Sequence, residues 1–171
     1  MSWSFDPAHS QIQFAVKHLG ISTVRGVFER FTGTIEEENG TLKAVSVEID
    51  IASLTTNNEQ RDVHLRSADF FDADQFPKAT FALTNFSRSG ETVTATGELT
   101  IRGITKPVTL TGEVGGPATD PWGNQKVSAE LETKISRKEF GLTWNVALEA
   151  GGVLVSDDVK IRIDVQAAPA A

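Results

Sequence analysis

The chain has 171 residues, 39% hydrophobic and 23% charged, a balance that suits one folded domain with a sizeable core and excludes wholesale disorder. A net charge of -7 argues against nucleic acid and anionic membranes as partners, since both call for clustered Lys and Arg. Without cysteine there is no disulfide, no thiolate catalysis and no cysteine-ligated metal.

The opening segment, Met1 to Pro7, has neither a basic start nor an apolar run. No stretch approaches the ~18 apolar residues of a membrane span. These features predict a cytoplasmic chain with no stable membrane insertion, or a periplasmic one only if it is a trimmed mature form. Period-two alternation then dominates. It marks strands over Gln11–His18, Val24–Ile35, Lys43–Ile51, Ala79–Phe86, Thr92–Ile101, Val108–Val114, Val127–Ile135 and Val159–Val165. Two of these, Val24–Ile35 and Ala79–Phe86, alternate less regularly. Turn signals lie between strands at Asn39-Gly40, Ser89-Gly90, Arg102-Gly103 and Asp120–Asn124. Each run carries an apolar face and a Thr, Glu or Lys face, as antiparallel sheets wetted on one side require. Eight such strands predict an all-β fold. Closure removes exposed edges, so a barrel is favoured over a sandwich.

One segment, Thr55 to Pro77, breaks the alternation. Asn57 as N-cap, with Gln60 three residues on, predicts a short helix over about Asn58–Ser67. A second irregular stretch, Ser136 to Gly152, is expected to hold a helical turn near Arg137–Phe140. The predicted domain is residues 1–167, followed by a disordered tail over 168–171.

Few residues suggest catalysis. His9 and Ser10 are adjacent, but Asp6-Pro7 explains that stretch as a turn. His9, His18 and His64 lie on separate elements, so spacing gives no support to a metal site with Asp62, and none is expected. The acidic groups at Asp72 and Asp74, and at Glu36 to Glu38, lack the spacing of a calcium loop. Arg61 and His64 are three apart and share a helix face, where they could hold an anionic headgroup or simply meet solvent.

Ten Phe, three Trp and no Tyr suit a dry interior. The pattern leaves a filled core and a hollow lumen both open. Strands of about 9 to 12 residues give an interior about 30 to 40 Å long. Ala95, Gly97, Gly112 and Ala129 fall on the inward face and are expected to leave volume unfilled.

The ordered series Asp6–Ser10 with Ile12 and Phe14, His18 ahead of Val24–Phe28, Arg61–Asp72 with Phe76-Pro77, Gly97–Val108, Asp120–Asn124, Ile135–Leu142 and Gly151–Val155 resembles the YceI-like family. The match spans about residues 3 to 166. The resemblance implies an extended, lipocalin-like, eight-stranded antiparallel barrel that carries a long apolar amphiphile, such as a polyisoprenoid, an isoprenoid quinone or a related lipid. Many members carry a signal peptide and are periplasmic; a homodimer is compatible with the family. No catalytic cofactor is implied; a bound lipid is. The expected lumen residues are Phe14, Val16, His18, Phe28, Val47, Ile49, Phe71, Phe76, Phe81, Leu83, Leu99, Ile101, Leu110, Leu131, Phe140 and Trp144. Arg25, Arg61 and His64 are expected at the mouth. Two other readings stand beside this one. The first is an enzyme using Asp62 and His64 as an acid–base pair on a sequestered apolar substrate. The second is a structural or stress-related interaction protein with a solid barrel.

Overall fold

The period-two runs pair edge to edge, all antiparallel, and the ring closes. The computed structural model describes residues 1–39, 41–148 and 153–170. Three of the eight walls are built from broken strands. β1 (Ser2–Phe5) and β2 (Gln11–His18) form one wall, interrupted by a 3-10 turn at Pro7–His9. β3 (Ser22–Phe28) and β4 (Phe31–Glu38) form the next, and β5 (Thr41–Asp50) with the short β6 (Leu54–Thr55) the third. The remaining walls are β7 (Lys78–Ser89), β8 (Thr92–Ile101), β9 (Ile104–Thr119), β10 (Gln125–Ser136) and β11 (Val155–Pro169). β11 closes the ring by pairing with β10 on one side and with β2 and β1 on the other.

Register puts the apolar set on one face. Val47 lies opposite Phe81, Phe81 opposite Leu99, Leu131 opposite Ile163, Ile163 opposite Ile12, and Ile12 opposite Phe28. The two irregular runs have a definite cause. In β7 the pairing with β8 slips between Leu83 and Asn85. Ala79, Phe81 and Leu83 face inward before the bulge, and Phe86 and Arg88 after it. The Val24–Ile35 run is interrupted at Glu29-Arg30, which likewise resets the phase between β3 and β4.

Two of the small inward residues do not leave space. A Cβ on Gly97 would strike the Phe81 ring, so that glycine is already covered by its neighbour. A Cβ on Gly112 would strike the carbonyl of Glu130 in the adjoining strand. Gly112 thus permits close approach of two backbones, whereas Ala95 and Ala129 do line the interior. Gly112→Ala is expected to cost at least about 2 kcal/mol, because backbone rather than a flexible side chain must yield. A urea midpoint unchanged from that of the parent chain would refute this.

The helix α1 spans Glu59–Arg66. Its cap is Asn58, whose Oδ1 accepts from the Arg61 N–H at 3.1 Å, and not Asn57, which sits at φ 60°. The helical turn near Arg137 is a 3-10 turn over Lys138–Phe140. The expected tail is not disordered through its described part: Ala168 pairs with Ser4, Pro169 with Trp3, and the Ala170 N–H donates to the Ser2 carbonyl at 2.8 Å. The segment is held because β1 extends the sheet beneath it. No helix among the described residues is long and apolar enough to cross a membrane.

Candidate functional site: a hollow barrel closed at one end

The barrel is hollow. A cavity of about 660 Å³ runs through it, within the range of small-molecule sites. Its wall is aliphatic and aromatic, with Val47, Ile49, Val93, Leu99, Leu110, Leu131 and Ile163 among the lining residues. That volume overturns the solid-barrel reading.

One end is sealed. There the cavity stops on the buried side chains of Phe70, Phe140, Leu142 and Arg137. Phe28 packs edge-on against Phe71 at 5.9 Å, and Phe14 lies tilted against Phe28 at 5.5 Å, so the rings interlock above the floor. The seal is irregular chain, with many carbonyls outside any sheet ladder, and arginines satisfy them. Arg66 donates to the carbonyls of Ala52 and Leu54, and Arg102 to those of Phe70 and Gly141. Arg137, 5% exposed, donates to Ser156 and Leu142 at 2.8 Å and to Trp144 and Val155 at 3.3 Å. Burial pulls its guanidinium below the ordinary arginine value, and Asp157 acts in the opposite sense. Burial also opposes the charge on Asp157, but hydrogen bonds from the Ser136 hydroxyl and the Lys138 N–H prevail and hold its carboxyl below the usual range.

The other end opens at the hairpins. There the lining includes exposed Thr41, Arg88, Gly116 and Pro117, together with half-buried Glu37. Arg88 reaches the rim because of the bulge in β7, and its Nε donates to the Gly90 carbonyl at 2.6 Å.

Thirteen of the sixteen expected lumen residues line this cavity: Phe14, Val16, Phe28, Val47, Ile49, Phe71, Phe81, Leu83, Leu99, Ile101, Leu110, Leu131 and Phe140. Three do not. His18 ends β2 opposite Ser22 and Val155. Phe76 lies over Gly103, and Trp144 packs against His64 and Phe70 outside the floor. The expected mouth residues are misplaced altogether. Arg25 is exposed and sits opposite Ala15, out of phase with the inward residues. Arg61 spends its fork on Thr56, donating to Oγ1 at 2.7 Å and to the carbonyl at 2.9 Å. His64 contacts Asp69 at 2.9 Å and stands edge-on to Phe70 and Trp144. The mouth lies at the opposite end from α1.

The postulated Asp62–His64 pair is not assembled. Asp62 is 5% exposed, and its Oδ1 accepts from the Thr56 N–H at 2.9 Å and the Thr56 hydroxyl at 2.5 Å. Two residues apart on a helix, the two side chains point in different directions. Neither lines the cavity. His9 and Ser10 are likewise occupied, His9 with Asp6 at 2.8 Å and Ser10 with the backbone of Gln166. His64→Gln should leave lipid affinity within about twofold of the parent, a difference too small to mark a contact. Asp62→Ala should cost about 2–3 kcal/mol by stranding buried donors. Lipid titration and thermal unfolding of the two variants test both statements.

Trp3, Phe5, Ile35 and Val93 also line the cavity. Trp3 and Phe5 carried a signal, since they share a face with one residue between them, but the run is only four residues long.

A closed antiparallel barrel with an apolar lumen, sealed at one end and open at the other, is a binding-protein architecture. The chain belongs to the YceI-like family, whose domain matches residues 3–167. The Protein YceI of Salmonella arizonae is 42% identical over 160 residues, covering 92% of this chain and 81% of that one. The crystal structure of the Campylobacter jejuni YCEI protein superposes with a TM-score of 0.78 at 34% identity, covering 91% of this chain and 90% of that one. A polyisoprenoid binding domain from Saccharophagus degradans shares the fold at a TM-score of 0.75, with 15% identity and 98% of both chains covered.

Proposed function

We propose that this protein binds a long apolar amphiphile, of polyisoprenoid, isoprenoid quinone or related lipid type, and carries it in the barrel lumen. The observation that carries the reading is the continuous apolar cavity with a single sealed end. Each CH₂ buried there contributes roughly 0.8 kcal/mol, so a few isoprene units outweigh the cost of ordering the chain. The sealed floor sets the depth to which the tail enters. The polar head stays at the open rim beside Thr41 and Arg88, because Arg137, the charged donor at the floor, already serves four backbone carbonyls. Kinship with the YceI-like family, and the fold shared with a polyisoprenoid binding domain, support the same reading. Binding without catalysis is favoured over the enzyme reading, since among the described residues the postulated Asp62–His64 pair does not face the cavity.

The test is native purification from the source organism, organic extraction and mass spectrometry of what comes with the protein. A prenyl or other long-chain lipid in near-stoichiometric amount is expected. Protein free of lipid, together with tryptophan fluorescence unmoved by a polyprenyl phosphate or quinone titration, would sink the proposal.

A further inference from the structure

The β9–β10 turn, Asp120–Asn124, is fully accounted for except at one residue. The Asp120 carboxylate accepts from the N–H groups of Trp122 and Asn124, both at 2.9 Å. The Asn124 amide donates back to Asp120, and Gly123 supplies the left-handed φ of 85°. The Asp120 N–H and the Gly123 N–H close the turn on backbone carbonyls. Trp122 has no such part. Its backbone is used, yet its indole is 83% exposed, on a turn tied down from both sides. A large aromatic presented to water by a well-tied backbone turn asks for an apolar partner.

Its position says which. The same hairpin supplies Gly115, Gly116 and Pro117 to the cavity wall, so Trp122 stands at the open end. Met1, 60% exposed, borders the same shallow hollow as Gly123, Asn124 and Lys126. We propose that Trp122, with Met1 at the same end, seats the open end of the barrel on a lipid bilayer of uncharged or zwitterionic headgroups, where the lumen exchanges its ligand. This inference rests on the proposed lipid-carrying function. An apolar ligand leaving the mouth otherwise has to cross water, and an indole suits the headgroup boundary.

Charge narrows the surface. Glu36, Glu37, Glu38, Glu91, Glu113 and Asp120 outnumber the basic residues Lys43, Arg88 and Lys126 at this end. An anionic bilayer is therefore repelled. Exposed Ile21, at 84%, lies at the sealed end and serves as the control.

Sedimentation with phosphatidylcholine vesicles tests the proposal. Trp122→Ala is expected to lower partitioning about tenfold, Trp122→Phe less, and Ile21→Ser not at all. Unfolding temperatures should stay at the parent value, since neither side chain is packed. Transfer of a fluorescent polyprenyl alcohol from protein to those vesicles should slow in parallel, with its affinity for the lumen unchanged. Partitioning that ignores Trp122, that is lost in Ile21→Ser, or that is stronger on phosphatidylserine overturns the proposal. So does parent protein that stays in the supernatant, which would point to a protein partner for the indole. Vesicle partitioning does not require an occupied lumen, so failure of the carrier reading is seen separately, in the titration alone.

Discussion

Arg137→Met is expected to lower stability by about 3–5 kcal/mol, among the largest effects of any single substitution in this chain. The side chain is 5% exposed and, among the described residues, has no carboxylate within ion-pair distance, so its charge is costly to bury. Methionine would relieve that cost. It would also strand the carbonyls of Leu142, Trp144 and Ser156, and leave that of Val155 to the Asn145 side-chain amide alone. Each buried unpaired carbonyl costs about 1–3 kcal/mol, so the loss exceeds the relief. The guanidinium also lies 5.9 Å from the Phe70 ring, and its removal loosens the floor. At about 2–4 °C per kcal/mol for a domain of this size, the unfolding temperature should fall by about 6–20 °C. Lysine keeps the charge but lacks the planar fork, and should recover only part of the loss. A methionine variant within about 1 kcal/mol of the parent would show that relief of the buried charge dominates.

The walls of the barrel are readable because an inward face imposes alternation, and eleven of the thirteen lumen residues lie on those alternating runs, whereas Phe71 and Phe140 come from the two irregular segments. Reading failed where geometry interrupts the period. The bulge near Leu83–Asn85 turns Phe86 and Arg88 inward, so Arg88, a mouth residue, looks like an outward charge in the sequence. Gly97 and Gly112 look like vacancies, yet one is filled by the Phe81 ring and the other by the Glu130 carbonyl, two contacts set by neighbouring strands. The Arg-rich segment around α1 resembles a headgroup site because Arg61 and His64 share a helix face. Their partners, Thr56, Asp69 and Trp144, are supplied by chain outside the helix, which periodicity within the helix does not report. Identical residue types serve an anion site and a set of backbone staples; only the position of the acceptors separates them.

Ala129→Phe should abolish most ligand binding while leaving the fold as stable as before, or more so by about 1–2 kcal/mol. Ala129 lies on β10 between inward Val127 and Leu131, opposite Val114 and Val165, and lines the cavity. In a filled barrel an added ring forces neighbours off their rotamers and costs about 1–3 kcal/mol. In a hollow one the ring enters empty apolar space and removes its own surface from water. The sign of the stability change therefore reports on the lumen without any ligand being present. Occupancy reports on function. A ring in the middle of the channel obstructs the path from the rim at Arg88 to the floor at Phe140, so affinity for a long prenyl chain should drop at least about tenfold. A chain short enough to stop above residue 129 should bind nearly as before. Destabilisation with affinity retained is the outcome a lumen-binding protein cannot give, because the same empty volume that admits the ligand must also admit the ring.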